Sequence, residues 1–289
     1  MALWIALGVL PTVAVALLLY LIRSISEPAP DGAEEFLGRP RTPGETLVAC
    51  LGDSHTHGRV GADWVKKLRM RMGMEGWLFI NAGHNGDVAW NVAQRLEPVI
   101  ACDPDYAIVL VGSNDVMAAC HPDDAAEYVK SGGLPQAPDI GWYEGQLREI
   151  VRRLKEGTHA EVILCTIPPL GEAKQGEVDG ILAAHNAVVG MIGRTEKLDV
   201  LPVHRLLSSE IRDGGPVYVP GDRRGPMLRA IARRYLRGRT WDEAGAEGGY
   251  SLLTDGVHLG ERAAGLLSAM FERHLRDRPA KKSAPPPPF

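Results

Sequence analysis

Leu51-Gly52-Asp53-Ser54-His55-Thr56-His57-Gly58 is the stretch on which the reading of this chain turns. Strand formers, Leu47-Val48-Ala49-Cys50-Leu51, run directly into Gly52-Asp53-Ser54, and a polar turn follows. A helical pattern then begins near Ala62. A small hydroxyl residue held where a buried strand ends and a helix begins is a common way to present a nucleophile, because the strand fixes it and the turn exposes it. Gly-Asp-Ser is also an ordinary turn. The nucleophile reading therefore requires a base, an orienting group and oxyanion donors elsewhere in the chain.

Working outward, apolar strand-like runs recur at Leu47–Leu51, Trp77–Asn81, Tyr106–Val111, Glu161–Thr166 and Val200–Val203. Helical patterns separate them at Ala62–Met72, Val88–Ile100, Trp142–Lys155 and Val178–Ile192. Strands that are apolar throughout and alternate with helices imply an α/β domain with a parallel sheet covered on both faces. Sites in such sheets gather at the carboxyl ends of the strands. Three polar clusters fall there: 52–58, 81–87 and 112–115.

Each cluster carries a residue type that ester chemistry can use. In Asn81-Ala82-Gly83-His84-Asn85-Gly86-Asp87, the N–H of Gly86 can point at a developing oxyanion with no Cβ in the way. In Gly112-Ser113-Asn114-Asp115, the Asn114 amide is a second donor. In Thr254-Asp255-Gly256-Val257-His258, the carboxylate three residues before the imidazole can accept its N–H and orient the ring. Taken singly, each has a plainer reading: a turn, a helix cap, surface decoration. Their occurrence together and in this order weighs against those readings.

Gly52-Asp53-Ser54, Asn81-x-Gly83-x-x-Gly86, Gly112-x-Asn114-Asp115 and Asp255-x-x-His258 resemble the four blocks of the SGNH (GDSL) hydrolase family. The resemblance covers about residues 46–275. It implies a flavodoxin-like, doubly wound, five-stranded parallel sheet and serine ester hydrolysis with neither metal nor cofactor. By motif position it makes Ser54 the nucleophile, His258 the general base and Asp255 the group that orients His258. The N–H groups of Ser54 and Gly86 and the side chain of Asn114 would form the oxyanion hole, with Asp53 supporting the loop. The family often has Leu after the serine; here it is His55, which bears on the mouth of the pocket.

Outside this domain the chain changes character. Met1 to Ile22 carries no charged side chain and, as a helix of about 1.5 Å per residue, reaches roughly 33 Å, enough for a bilayer core. Trp4 and Tyr20 sit where interfacial anchors would, and Pro11 lies midway. No Lys or Arg precedes the run and no small-x-small cleavage site follows it, so residues 1–23 read as an uncleaved membrane anchor rather than a signal peptide. Arg23, Arg39 and Arg41 place the domain on the cytoplasmic side by the positive-inside tendency, although large domains translocate regardless of charge. Residues 24–45, rich in Pro, Gly and acidic residues, read as a tether of low order. The hydrolase-like domain spans 46–276, with an insertion at about 205–250 that matches no block. Its Arg-rich helical pattern, Met227–Arg237, reads as a surface helix, a lid, or a contact with anionic lipid heads. Residues 277–289 end in four prolines and Phe289 and read as a disordered tail.

Composition narrows the partners. The 289 residues carry a net charge of −4, which gives no overall basic field for nucleic acid. Cys50, Cys102, Cys120 and Cys165 show no zinc-site spacing. The first and last read as buried hydrophobes, and the middle two could pair in an oxidising compartment but are read as free thiols. Asp53-x-His55, with His57 and His84 nearby, has the spacing of one metal-binding block of metallophosphoesterases, but the other blocks are absent. Those histidines are expected at the pocket rim. A non-catalytic binding module on the same fold is the other alternative. The expected substrate is a carboxylic ester, either a lipid or acyl ester or an acetylated glycan, with the membrane as partner through residues 1–23.

Overall fold

The first strand, β1 (Thr46–Gly52), is buried at every position. The structure, a computed structural model, describes residues 19–212 and 214–278. Four more strands, β2 (Trp77–Gly83), β3 (Tyr106–Leu110), β4 (Glu161–Cys165) and β5 (Asp199–Leu201), complete a sheet of order β2-β1-β3-β4-β5. All four pairings are parallel, as the apolar, helix-separated strands require. Gly52 pairs with Gly83 on one side and Leu110 on the other, so the carboxyl ends of β1, β2 and β3 finish level. The chain leaves β1 outward to β2 and returns across it to β3. The β1/β3 boundary is therefore the switch point where a crevice opens.

The helices that cover this sheet are α1 (Trp64–Met72), α2 (Ala89–Gln94), α3 (Ser113–Cys120), α4 (Pro122–Gly132), α5 (Ile140–Gly157), α6 (Gly176–Glu196), α7 (Arg224–Arg237) and α8 (Glu261–Arg276). Side chains alternate along β1. Leu47, Ala49 and Leu51 join α2, α3, α5 and α6 in one apolar cluster. Val48 and Cys50 join α1, α7 and α8 in the other, where the Trp64 and Phe271 rings lie 4.5 Å apart. A buried aromatic of this kind is worth about 3–5 kcal/mol against alanine, so α1 and α8 are strongly held on that face.

Several elements depart from the sequence reading. The helix expected over Val88–Ile100 is broken into Ala89–Gln94 and Glu97–Ala101. Pro98 has no N–H to continue the first segment and sits in the first turn of the second. Helices α3 and α4 were not anticipated, because α3 follows a strand with no intervening polar loop. All four cysteines are free thiols, with Cys50 and Cys165 buried.

Residues 19–26 are helical, and the rest of the expected span, residues 1–18, lies outside the described residues. Among the described residues no helix is long and apolar enough to cross a membrane. Residues 24–45, read from composition as a tether, make specific contacts with the domain. The Asn81 N–H donates to the Asp31 carbonyl at 2.9 Å, Arg69 pairs with Asp31, and Ala33 is buried in the first cluster. In the insertion, α7 buries Ala230 and Ile231 in the second cluster and keeps most of its arginines outward. Of the Pro-rich tail, only residues 277 and 278 are described.

Candidate active site

Ser54 opens a single helical turn, Ser54–His57, at the end of β1. Asp53 caps that turn, its Oδ1 accepting from the His55 N–H at 2.9 Å. The strand end is packed so closely that a Cβ on Gly52 would lie 2.2 Å from the Leu110 carbonyl oxygen, so only glycine fits. Ser54 is thereby fixed by backbone geometry on β1 and by its own turn.

His258 comes from the last loop, 204 residues further on. Its Nδ1–H donates to Asp255 Oδ2 at 2.7 Å, and its Nε2 lies 3.0 Å from Ser54 Oγ. A carboxylate on Nδ1 selects the tautomer whose Nε2 accepts, leaving that nitrogen ready for the serine proton. Asp255 Oδ1 accepts from the N–H groups of Val257 and His258 at 3.0 and 2.8 Å. Burial opposes ionisation of Asp255, but the His258 charge and these hydrogen bonds outweigh it, holding the carboxyl below its ordinary range. The arrangement can pass a proton from hydroxyl to imidazole while stabilising the resulting imidazolium.

Gly86 and Asn114 line the same cavity of about 200 Å³ as Ser54 and His258. Gly86 has φ 81°, a conformation that favours glycine. Asn114, in the first turn of α3, is held at both ends: Nδ2 donates to the Asp87 carbonyl at 2.8 Å and Oδ1 accepts from Tyr128 Oη at 2.6 Å. The Asp87 carbonyl, which can only accept, fixes which end of the amide carries the nitrogen, and the Tyr128 hydroxyl holds the oxygen end. An amide has two N–H bonds, and one remains for the cavity.

Beneath this surface lie two buried acids, Asp53 and Asp115, each pushed up to about 7. Burial is the main cause for both; Asp87 raises Asp53 further, and Asp53 raises Asp115. Arg95 meets this region from α2's end, donating to Asp87 Oδ2 (2.6 Å) and to the carbonyls of Ala82 (2.7 Å) and Gly52 (2.9 Å). It ties the ends of β1 and β2 to the turn that carries Gly86.

The histidines expected at the rim are placed differently. His55 and His57 are buried. His55 Nε2 lies 3.1 Å from Ser113 Oγ, and burial, aided by the charge of His258, pushes its pKa down to about 3. It is a neutral strut between β1 and β3, so the family's Leu position is filled by an inward side chain that does not reach the mouth of the pocket. His57 Nε2 donates to the Glu27 carbonyl at 2.9 Å, and burial lowers its pKa. His84 is exposed, with Nδ1 3.6 Å from Asp87. Among the described residues no group of three or more His, Cys, Asp or Glu side chains is placed to hold a metal ion.

Other contributors were not anticipated from the sequence. Glu172, on the loop after β4, is buried and accepts four hydrogen bonds: from Ser251 N–H and O–H and from the N–H groups of Leu252 and Leu253, at 2.6–2.7 Å. Next to it, the Gly171 N–H donates to the Gly256 carbonyl at 2.7 Å. No local pattern marks Glu172, whose partners lie about 80 residues further on. Tyr128 reads as an ordinary helix residue and has no such mark either. Apolar walls come from Val60, Met117 and Val257, and also from Ile25 and Met227, which lie outside the sheet and its loops.

The sequence model of the GDSL-like lipase/acylhydrolase family matches residues 50–224. No curated protein matches the sequence. Among solved structures, a catalytic mutant of Axe2, an acetylxylan esterase from Geobacillus stearothermophilus, is similar at TM-score 0.58 and 17% identity, over 82% of this chain and 96% of that one. A putative acylhydrolase from Bacteroides fragilis is similar at TM-score 0.55 and 17% identity, over 85% and 94%. The lipase/acylhydrolase from Enterococcus faecalis gives 0.53 and 19%, over 82% and 100%. At these identities the likeness is one of fold. The family match spans more than half the chain and includes the Ser54 turn, Gly86 and Asn114, so this chain belongs to the GDSL-like lipase/acylhydrolase family and is a carboxylic ester hydrolase.

Proposed function

We propose that Ser54 is the nucleophile of a membrane-tethered esterase acting on short-chain carboxylic esters. His258 takes the Ser54 proton as Oγ attacks the ester carbonyl. The N–H groups of Ser54 and Gly86 and the Asn114 amide hold the oxyanion. The alcohol leaves with the proton from His258, and water activated by the same imidazole then hydrolyses the acyl-enzyme. Asp255 keeps the ring oriented and stabilises its charge, while Asp53 supports the turn. The observation that carries this reading is the unbroken line of hydrogen bonds from Asp255 through His258 to Ser54, ending in the cavity that Gly86 and Asn114 also line.

The size of the cavity supports a small acyl group. A cavity of about 200 Å³ suits acetyl or a few carbons more. Acetylxylan esterases among the similar structures accord with an acetyl ester. The uncharged run Met1–Ile22 is the proposed anchor.

The test is intact mass of the full chain after exposure to a fluorophosphonate, with Ser54→Ala alongside. One adduct, lost in the variant and indifferent to a chelator, is the expected result. A folded chain that takes no adduct, or takes it equally in Ser54→Ala, overturns the assignment.

A further inference from the structure

Two segments outside the sheet and its loops wall the Ser54 cavity: residues 19–27 through Ile25, and α7 with its approach through Met227 and Arg223. The first segment is fastened to the site. Asn85 Nδ2 donates to the Ile25 carbonyl at 2.7 Å, and His57 to that of Glu27 at 2.9 Å. Leu21 and Ile25 pack on the same apolar cluster as Met227 and Tyr235 of α7.

The outer sides of these same segments are apolar. Of the eleven large hydrophobic side chains exposed among the described residues, seven lie in residues 19–22 and 217–236. Ile22 is one turn from Ile25, and Leu228, 57% exposed, directly follows Met227. Concentration of exposed apolar groups beside a pocket mouth marks a contact surface. The same region is basic. Residues 223–239 hold seven arginines in a chain of net charge −4. Arg223 and Arg224 pair with Asp124 and Glu127, and Arg233, Arg237 and Arg239 share Glu247, so seven cations meet three carboxylates and the patch keeps an excess of positive charge. Arg23 and Arg237 are 83% and 69% exposed. Apolar side chains interleaved with arginines are the composition of a helix that lies on an anionic bilayer. The described chain begins at Leu19, beside the pocket wall, and the residues before it are the uncharged run. A second copy is a poorer occupant, since a two-fold contact would set the same excess of positive charge against itself.

We propose that the mouth of the Ser54 cavity opens against an anionic bilayer, and that the substrate is a short-chain ester of an amphiphile resident there. The acyl group enters the 200 Å³ cavity, and the lipid-borne alcohol stays in the membrane surface. This rests on the esterase reading above and adds the carrier of the ester and the orientation of the domain.

The experiment uses the full chain in vesicles of phosphatidylglycerol or phosphatidylcholine containing hexadecyl acetate, with p-nitrophenyl acetate as the soluble ester. Wild type is expected to release acetate from hexadecyl acetate at least tenfold faster in phosphatidylglycerol. Leu228→Glu with Leu236→Glu should lose at least tenfold on the vesicle substrate and keep the soluble activity. Arg229→Glu should reduce the preference for phosphatidylglycerol. Unchanged vesicle rates in these variants overturn the inference, and so does a variant effect that tracks a dimer-to-monomer change in light scattering. Wild type that hydrolyses the soluble ester but not hexadecyl acetate overturns this inference and leaves the esterase reading standing. Wild type that hydrolyses neither overturns both.

Discussion

Ser54 and His258 are held by opposite means. Ser54 stands on the central strand of a five-stranded sheet, and its turn is fixed by Asp53 and by the packed ends of β1, β2 and β3. His258 sits on a loop with no strand beneath it except the single bridge Leu253–Leu259. One buried carboxylate, Glu172, gathers four donors from the start of that loop. Support on the sheet side is distributed over strand packing, whereas on the loop side a single side chain, Glu172, accounts for four of the hydrogen bonds. The two sides should therefore respond differently to single substitutions. Chemistry should be most vulnerable on the sheet side where a group faces the cavity, and on the loop side also at a residue that never touches substrate.

The largest effect belongs to the cavity-facing group. Asn114→Ala removes one proposed oxyanion donor, a loss of about 3 kcal/mol in the barrier, or ~100-fold in kcat. Distributed backbone support predicts that the fold survives it, so Tm should move little beside the rate. Steady-state kinetics with a melting curve checks both, and an unchanged kcat removes Asn114 from the oxyanion hole. Next comes Glu172→Gln, which keeps shape but turns an NH2 toward donors that need an acceptor. A buried donor left unmatched costs about 1–3 kcal/mol. Tm should drop by several degrees, and kcat should fall by roughly tenfold with KM nearly constant, because the Asp255–His258 loop loses its anchor. Equal Tm with normal kcat would break the comparison.

The same contrast explains what could be read in the sequence. Sheet and site on the β1 side were legible because apolar strands and polar strand-end clusters are local patterns. The Ser54, Gly86 and Asn114 clusters each sit within a few residues of a strand. Glu172 was not legible, because its partners at 251–253 lie about 80 residues away and an isolated Glu has no signature. His55 and His57 were misplaced at the rim for a related reason: a polar side chain in a turn reads as exposed unless its buried partner, here Ser113 or the Glu27 carbonyl, is known. Residues 24–45 have the composition of a linker, and only tertiary contacts such as Asp31 with Asn81 and Arg69 hold them to the domain.

A smaller effect is expected where a residue acts on a donor at one remove. Tyr128→Phe deletes the hydroxyl that accepts no substrate contact but fixes the Asn114 amide. The Asp87 carbonyl still holds Nδ2, so about 1 kcal/mol, the net value of one hydrogen bond, sets the scale. A fall of several-fold in kcat with unchanged KM is expected, and none of it should survive in the Asn114→Ala background. Additive losses in that double mutant would show that Tyr128 acts elsewhere.

The last and smallest effect separates the two sides by pH. Asp115 on the sheet side is pushed up to about 7, chiefly by burial and further by Asp53, against the pull of the Ala89 N–H. The unfolded chain gives up this proton near ~4. Between about pH 4 and 7 the folded state therefore binds more protons, so this group's contribution to stability declines as pH rises through that window. Asp255 on the loop side is held below its ordinary range despite its burial, by the His258 charge and hydrogen bonds. Its contribution is present above the unfolded pKa and is lost only as pH falls through the lower folded value. Asp115→Asn keeps an acceptor for the Ala89 N–H and cannot ionise. Its Tm should lie closest to wild type near pH ~4.5 and rise above it increasingly as pH goes through about 7 to 8, the direction that the raised folded pKa dictates. The activity profile set by the Asp255–His258 pair should be unmoved. A Tm difference that stays flat across that range would mean that Asp115 is ionised in the folded protein, and the contrast between the two carboxylates would disappear.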